Sequence, residues 1–204
     1  MDLLEQIDNQ PRNLLPQDGI VHYYGPVMPQ EQADHYFNVL IQDITWQHDQ
    51  AIHLDKTITT KRQIAFYGDS DFSYTYSRTT RKALPWIPVL MELKSLIEQR
   101  SREYYNACLI NLYHDGHEGM AWHSDREQEL KRHGAIGSLS LGSARKFNFK
   151  HKKSQEKRTQ VLEHGSLLVM KGTTQTYWLH CLPPTRVVHT PRINLTFRHM
   201  VRNS

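Results

Sequence analysis

Apolar residues return at helical spacing in two places in the first half of the chain. From Gln30 to Asp43, Ala33, Phe37, Leu40 and Ile41, continued by Ile44, follow a Pro29 suited to a helix start, which predicts a helix. A second predicted helix begins around Pro88, with Leu90, Leu93, Leu96 and Ile97 as its apolar stripe and Lys94, Glu98 and Arg102 outside it. Between the two, Trp46–Leu54 and Ile58–Tyr67 predict a pair of strands around a turn at Asp55 and Lys56, and Phe72–Tyr76 predicts another strand.

After Ala107 the pattern changes to short β-like runs broken by Gly, Pro and charge. Strands are predicted at Cys108–Tyr113, Met120–Ser124, Ile136–Leu141, Lys146–Lys150, Thr159–Leu162, Leu167–Lys171, Tyr177–His180 and Ile193–His199. So many short strands with few helical interruptions predict a sandwich or barrel. The expected architecture is α+β: one domain over 1–204, with helices and hairpins in 1–106 and the β core in 107–204.

Length and composition fit one ordinary globular domain. The first residues, MDLLEQIDNQPRN, lack the basic and apolar regions of a secretory signal. No run approaches the roughly 18 apolar residues of a membrane span. Cys108 and Cys181 lie far apart in apolar surroundings and read as free thiols, with a disulfide as the alternative. A cytoplasmic protein, nuclear if its source is eukaryotic, with no membrane association is expected. Charge adds one feature. Residues 1–60 hold nine acids against two bases, a net of −7, and residues 61–204 hold twelve acids against twenty-three bases, a net of +11. That asymmetry fits either a polyanionic partner or a basic solvated surface.

The segment Arg192-Ile-Asn-Leu-Thr-Phe-Arg198 separates two faces if it is a strand: Ile193, Leu195 and Phe197 on one, Arg192, Asn194, Thr196 and Arg198 on the other. If the polar face lines a barrel, two guanidinium groups are buried together and call for an anion; a dicarboxylate fits their forked donors. If the strand is half-exposed, the same face lies in water. Asn111-Leu-Tyr113 repeats the arrangement with two polar residues on one face. Then comes Trp122-His123-Ser124-Asp125. In extended chain His123 and Asp125 point the same way, and His180 is the obvious third donor of a two-His-one-carboxylate set with open positions, which suits a non-haem Fe(II) oxygenase. With 13 His and 21 acids, H-x-[DE] is expected about once by chance, and a second copy stands at His53-Leu-Asp55. A zinc site built from His114, His117 and His123 is the competing assignment.

The order N-x-Y, H-x-D, a distal His and R-x-N-x-x-x-R resembles the AlkB group of Fe(II)/2-oxoglutarate dioxygenases. The resemblance runs from about Asn13 to Met200, is densest in Asn111–Asp125, Glu163–Lys171 and Pro191–Arg198, and is nearest to the branch that repairs double-stranded DNA, whose human members are nuclear. It implies a double-stranded β-helix (jelly-roll) barrel with N-terminal helices and a substrate-binding β-hairpin lid. It implies His123, Asp125 and His180 as iron ligands, Arg192 with Tyr113 on the distal carboxylate of 2-oxoglutarate, and Arg198, Asn111 and Asn194 at the chelating end. Fe(II), 2-oxoglutarate and O2 are the implied cofactor and co-substrates. The implied reaction is oxidative removal of alkyl groups from bases such as N1-methyladenine and N3-methylcytosine, releasing formaldehyde, succinate and CO2.

On the substrate side, the resemblance sets Tyr74 and Tyr76 at the roof of a pocket for a flipped base, with Tyr76 stacking opposite His123. Packing of both tyrosines on the N-terminal helices is the alternative. Glu127 resembles the family's acceptor for an exocyclic amine, while Arg126 departs from the acidic residue of the nearest branch. The hairpin Trp46–Tyr67 matches that branch's groove-probing finger, with Leu54, then Ile52, as the wedge at its tip. Lys61, Arg62, Arg78, Arg81, Lys82 and the run Lys150-His-Lys-Lys153 read as phosphate contacts or as solvated surface charges. The expected partner is alkylated DNA, with RNA as an alternative, and the expected state is a monomer. The same oxygenase chemistry on tRNA or protein, and a non-catalytic binding module of the same fold, are the rival functions.

Overall fold

The computed structural model describes residues 11–53, 56–69, 72–76 and 79–201, with the backbone alone described at 50–53, 56–58, 74–76 and 79–81. In chain order the elements are β1 (Ile20–Pro26), α1 (Gln30–Asp43), β2 (Gln47–His53), β3 (Lys56–Gly68), β4 (Ser73–Tyr76), β5 (Thr79–Lys82), α2 (Pro88–Ser101), β6 (Ala107–Tyr113) and β7 (Met120–His123). They continue with β8 (Ile136–Gly142), β9 (Arg145–His151), β10 (Lys157–Leu162), β11 (Ser166–Lys171), the short helix α3 (Thr174–Tyr177), β12 (Trp178–Leu182) and β13 (Arg192–Arg198).

The strands form a seven-stranded sheet in the order β1-β11-β8-β13-β6-β3-β2, a four-stranded sheet β10-β9-β12-β7, and the hairpin β4-β5. All pairings within the named strands are antiparallel. The result is the expected jelly roll. Strands β1, β2 and β3, which precede residue 107, extend the large sheet at its two sides.

Both helices form where the apolar spacing predicts them. Pro29 caps α1, and Pro88, which has no N–H to lose, opens α2. Helix α2 buries Leu90, Leu93 and Ile97, and its outer side carries the Lys94–Glu98 ion pair at 3.2 Å. On α1 the stripe is shifted: Ala33, Tyr36 and Leu40 are buried, while Phe37 and Ile41 pack at its edge. Tyr36 is accepted because its hydroxyl donates to Glu92 of α2 at 3.2 Å.

The helices cover one face of the large sheet. There Leu90, Leu93 and Ile97 meet Ile193, Leu195 and Phe197 of β13 and Leu139 and Leu141 of β8 in the main core. The opposite face looks into the barrel, where Ile136, Phe149, Leu162, Leu168, Met170 and Trp178 make a second core that closes one end. Coverage on both faces explains why every residue of β13 is buried.

Three elements depart from the sequence pattern. Strand β1 has no counterpart in it; this is an edge strand with a bulge between Tyr23 and Gly25, and it shows no clean alternation because it is half-exposed. Gly25 makes that bulge at φ 66°, a conformation that costs a residue with a Cβ. Strand β5 is likewise additional to the predicted strands. Tyr177 belongs to the helical turn α3, so the following strand starts one residue later, at Trp178. Cys108 and Cys181 are buried free thiols, as expected. Among the described residues no helix is long and apolar enough to cross a membrane.

Candidate active site

The four-stranded sheet brings two imidazoles together by register. His123 at the end of β7 lies directly across from His180 of β12, and their ring centroids are 4.2 Å apart at 66°. Asp125 follows two residues beyond His123, with its backbone N–H donated to Gln175 Oε1 at 3.0 Å. One donor atom from each of His123, Asp125 and His180 lies within 4.8 Å of the others, and this is the one such group among the described residues. The competing zinc set does not assemble: His114 is engaged by Glu118 at 3.0 Å and His117 by Asp115 at 3.4 Å.

Local bonding prepares these side chains as ligands. His123 Nδ1 lies 2.8 Å from the Ala121 carbonyl, which only accepts; the proton is therefore on Nδ1 and the Nε2 lone pair is free to face the site. Burial, reinforced by His123, pulls the pKa of His180 down to about 3, so this ring is neutral at physiological pH. Burial opposes a charge on Asp125, yet Arg198, with His180 and His123, outweighs it and holds the carboxyl below its ordinary value.

The large sheet supplies the opposite wall. Register places Asn111 of β6 beside Asn194 of β13 and Tyr113 beside Arg192. Asn111, Tyr113, Asn194 and Arg198 line the same pocket as His123, Asp125 and His180. The polar face of β13 is therefore inside the barrel and not in water. Arg192 reaches the pocket through Asn194, to whose Oδ1 it donates at 2.6 Å, and through Tyr113, whose ring centroid is 5.5 Å from the guanidinium carbon. It also donates to Ser140 Oγ at 2.9 Å. Its Nε has no partner among the described residues, and no carboxylate meets it there. Burial pulls its pKa down to about 10. A guanidinium buried this way calls for an anion.

Arg62 requires a correction. The sequence suggests a phosphate-facing surface for it, but it is 8% exposed, ion-paired with Asp49 and part of the pocket lining. Burial works against its charge, while Tyr113 and Asp49 hold its pKa above the ordinary value. Glu127 does not line the pocket of the two histidines. It is half-buried in an adjoining hollow with Lys131 and His199, which shares Asp125 and Arg198 with the first. Tyr74 and Tyr76 lie on β4, where the backbone alone is described; Leu54 and Arg78 lie outside the described residues, and Ile52 and Arg81 are described as backbone. Lys61 and Lys82 are exposed, as phosphate contacts require. Lys152 is not available for that role: its ammonium donates to Ser124 Oγ and to the carbonyls of Gln175 and Thr176 at 2.8–3.1 Å.

Sequence reasoning missed Asp49, Met120, Phe147 and Ser138 in the lining. Ser138 and Ser140 were detectable, since they alternate with Leu139 and Leu141 and so mark a polar inner face on β8. Nothing local marks Asp49.

A family model described as the 2OG-Fe(II) oxygenase superfamily matches residues 19–198. The chain belongs to that superfamily. The superfamily's description implies Fe(II) with 2-oxoglutarate and O2, and both the donor set and the carboxylate-free Arg192 fit that group. Among relatives, the chain is 39% identical over 178 residues to the human alkB homolog 3 alpha-ketoglutarate-dependent dioxygenase, covering 82% of this chain and 62% of that protein. It is 35% identical over 195 residues to the human DNA oxidative demethylase ALKBH2, covering 90% of this chain and 75% of that one. The match thus spans under two thirds of the alkB homolog 3 proteins. The solved structure of OsALKBH1 superposes with a TM-score of 0.61 at 16% identity, over 93% of this chain and 100% of that one, a likeness of fold.

Proposed function

We propose that this oxygenase removes alkyl groups oxidatively from N-alkylated bases of DNA, such as N1-methyladenine and N3-methylcytosine. The observation that carries the chemistry is the convergence of His123, Asp125 and His180 opposite Arg198 and a buried Arg192 that no carboxylate meets. The substrate class is supported by relatives named as DNA oxidative demethylases.

His123 Nε2, a ring nitrogen of His180 and Asp125 Oδ1 would hold the metal. When bound, Fe(II) with 2-oxoglutarate and O2 supplies oxidation of an N-alkyl C–H bond, after which the hydroxylated methyl leaves as formaldehyde with succinate and CO2 as co-products. The protein's contribution is placement. Arg192, assisted by Tyr113, would take the far carboxylate of 2-oxoglutarate, and Arg198, Asn111 and Asn194 its chelating end. Arg62, already neutralised by Asp49, adds little net charge and instead walls the pocket beside Met120 and Tyr113.

A base must leave its stack to reach this pocket. Tyr74 and Tyr76 are the residues assigned to hold it, Glu127, in the adjoining hollow that shares Asp125 and Arg198 with the pocket, to accept its exocyclic amine, and Leu54, between β2 and β3 in sequence, to fill the gap left in the stack. The hairpin has a shape suited to probing a duplex, because β3 pairs with β6 from Gln63 to Gly68 and its first half pairs with β2 alone. Succinate formation tests the reading. Methylated DNA should stimulate it well above the same unmethylated oligonucleotide; equal rates, or stimulation by methylated RNA alone, would move the substrate elsewhere.

A further inference from the structure

The outer face of the four-stranded sheet has a composition that the oxygenase reaction does not use. Phe147 and Phe149 of β9 and His180 of β12 point into the barrel. By alternation Lys146, Asn148 and Lys150 point out, and their register partners share that face: Lys157, Thr159 and Val161 on β10, Leu179 and Cys181 on β12. Trp122 of β7 joins them. Trp122 is 37% exposed, and Lys150 Nζ stands 4.9 Å from its ring centroid.

No Asp or Glu occupies an outward position on these four strands. The acid of the β9–β10 hairpin, Glu156, is ion-paired with Arg158 at 2.5 Å. Lys150 and Lys157 stand directly opposite one another, a like-charge pairing that weakens a sheet when no anion intervenes. Among the described residues neither of them, nor Lys146, has a carboxylate partner.

An exposed indole among unneutralised lysines is the combination that holds single-stranded nucleic acid: a base stacks on the ring and the ammonium groups meet phosphates. Trp122 is also the residue immediately before His123, so this face runs up to the rim of the metal site. We propose that the outer face of the four-stranded sheet is a track for the single strand flanking the reacting base. A base stacks on Trp122, and Lys146, Lys150 and Lys157 take the phosphates. This rests on the nucleic-acid reading of the site and adds a second surface outside its pocket.

The test uses labelled, unmethylated oligodeoxynucleotides of about fifteen and about four nucleotides, bound to the full chain without iron or 2-oxoglutarate and followed by anisotropy. The double variant Lys150→Glu/Lys157→Glu should bind the longer strand at least about tenfold more weakly and lower the log–log salt slope by about 1.4, the share of two phosphate contacts. Binding of the short strand should not change. Trp122→Ala should weaken the longer strand about fivefold or more, and Trp122→Phe should restore most of it. Succinate formation in the absence of nucleic acid should match the wild type in the lysine variant, which reports an intact site. Unchanged binding of the longer strand overturns the track, whatever the outcome with methylated DNA. So does an equal loss for both lengths, or, with phosphatidylglycerol vesicles as a parallel probe, a loss confined to the vesicles. Binding through this face without demethylation would retain the track and reject the proposed reaction.

Discussion

Arg198 donates to Asp125 Oδ2 at 3.1 Å, while the other oxygen, Oδ1, stands 3.8 Å from His123 Nε2. The carboxylate is thereby divided: one oxygen is held by a cation from the large sheet, and the other is turned toward the imidazoles of the small one. Arg198→Gln keeps a donor but removes the charge and the fork. Metal affinity should fall about 10- to 100-fold, as for other groups that orient a ligand. Titration with Co(II) or Mn(II) monitored by calorimetry would show it, and unchanged affinity would mean that Arg198 does not position Asp125.

Arg192 gives a separate prediction because it is a buried cation with no carboxylate beside it. Arg192→Gln should raise the KM for 2-oxoglutarate by about two orders of magnitude, in line with the loss of one partner of a buried charged pair. The variant without co-substrate should be no less stable than the wild type, since the missing charge had no counter-charge. Addition of 2-oxoglutarate and metal should raise the melting temperature of the wild type far more than that of the variant. Equal thermal shifts would place the co-substrate elsewhere.

The pH dependence follows from His180. Its folded pKa is about 3, against an ordinary value of 6.5, so between these limits the unfolded chain binds the additional proton. Stability therefore rises with pH across that window and is lost as pH falls from 6.5 toward 3. Asp125, whose carboxyl is held low, acts in the same direction at the acid end. In metal-free protein, His180→Gln should remove up to about one proton from the slope of unfolding free energy against pH. Denaturant titrations at a series of pH values measure that slope, and an unaltered slope would exclude His180 as the source.

Lys152 ties α3 to the segment carrying the ligands, through Ser124 Oγ and the Gln175 and Thr176 carbonyls. Lys152→Met should lower stability by about 1–3 kcal/mol by leaving those acceptors without their donor. It should leave the strand-binding affinity far less affected than the Lys150→Glu/Lys157→Glu pair. If Lys152 instead met phosphates, the order of those effects would invert.

Much of the site was readable because it lies on strands whose period is two. The alternation in Arg192–Arg198 separated apolar from polar positions, and the structure places each set where that division requires. Alternation could not decide whether the polar face met water, because that depends on a second sheet contributed by residues far away in sequence. Arg62 shows the same limit. Beside Lys61 it reads as one more surface base, and it is buried because Asp49 across the β2–β3 hairpin supplies its counter-charge. Strand β1 escaped for a different reason: an edge strand with a bulge and half-exposed side chains keeps no clear pattern. The helices were legible because Pro29 and Pro88 mark their starts and the apolar stripe of α2 faces the core directly.

The most direct test is the mass of a short oligodeoxynucleotide carrying one N1-methyladenine after incubation with the iron-loaded protein. Loss of one methylene mass, only when iron, O2 and 2-oxoglutarate are all present and not with Asp125→Ala, is the predicted result. An unchanged mass alongside steady succinate formation would contradict the assignment of alkylated bases as the substrate.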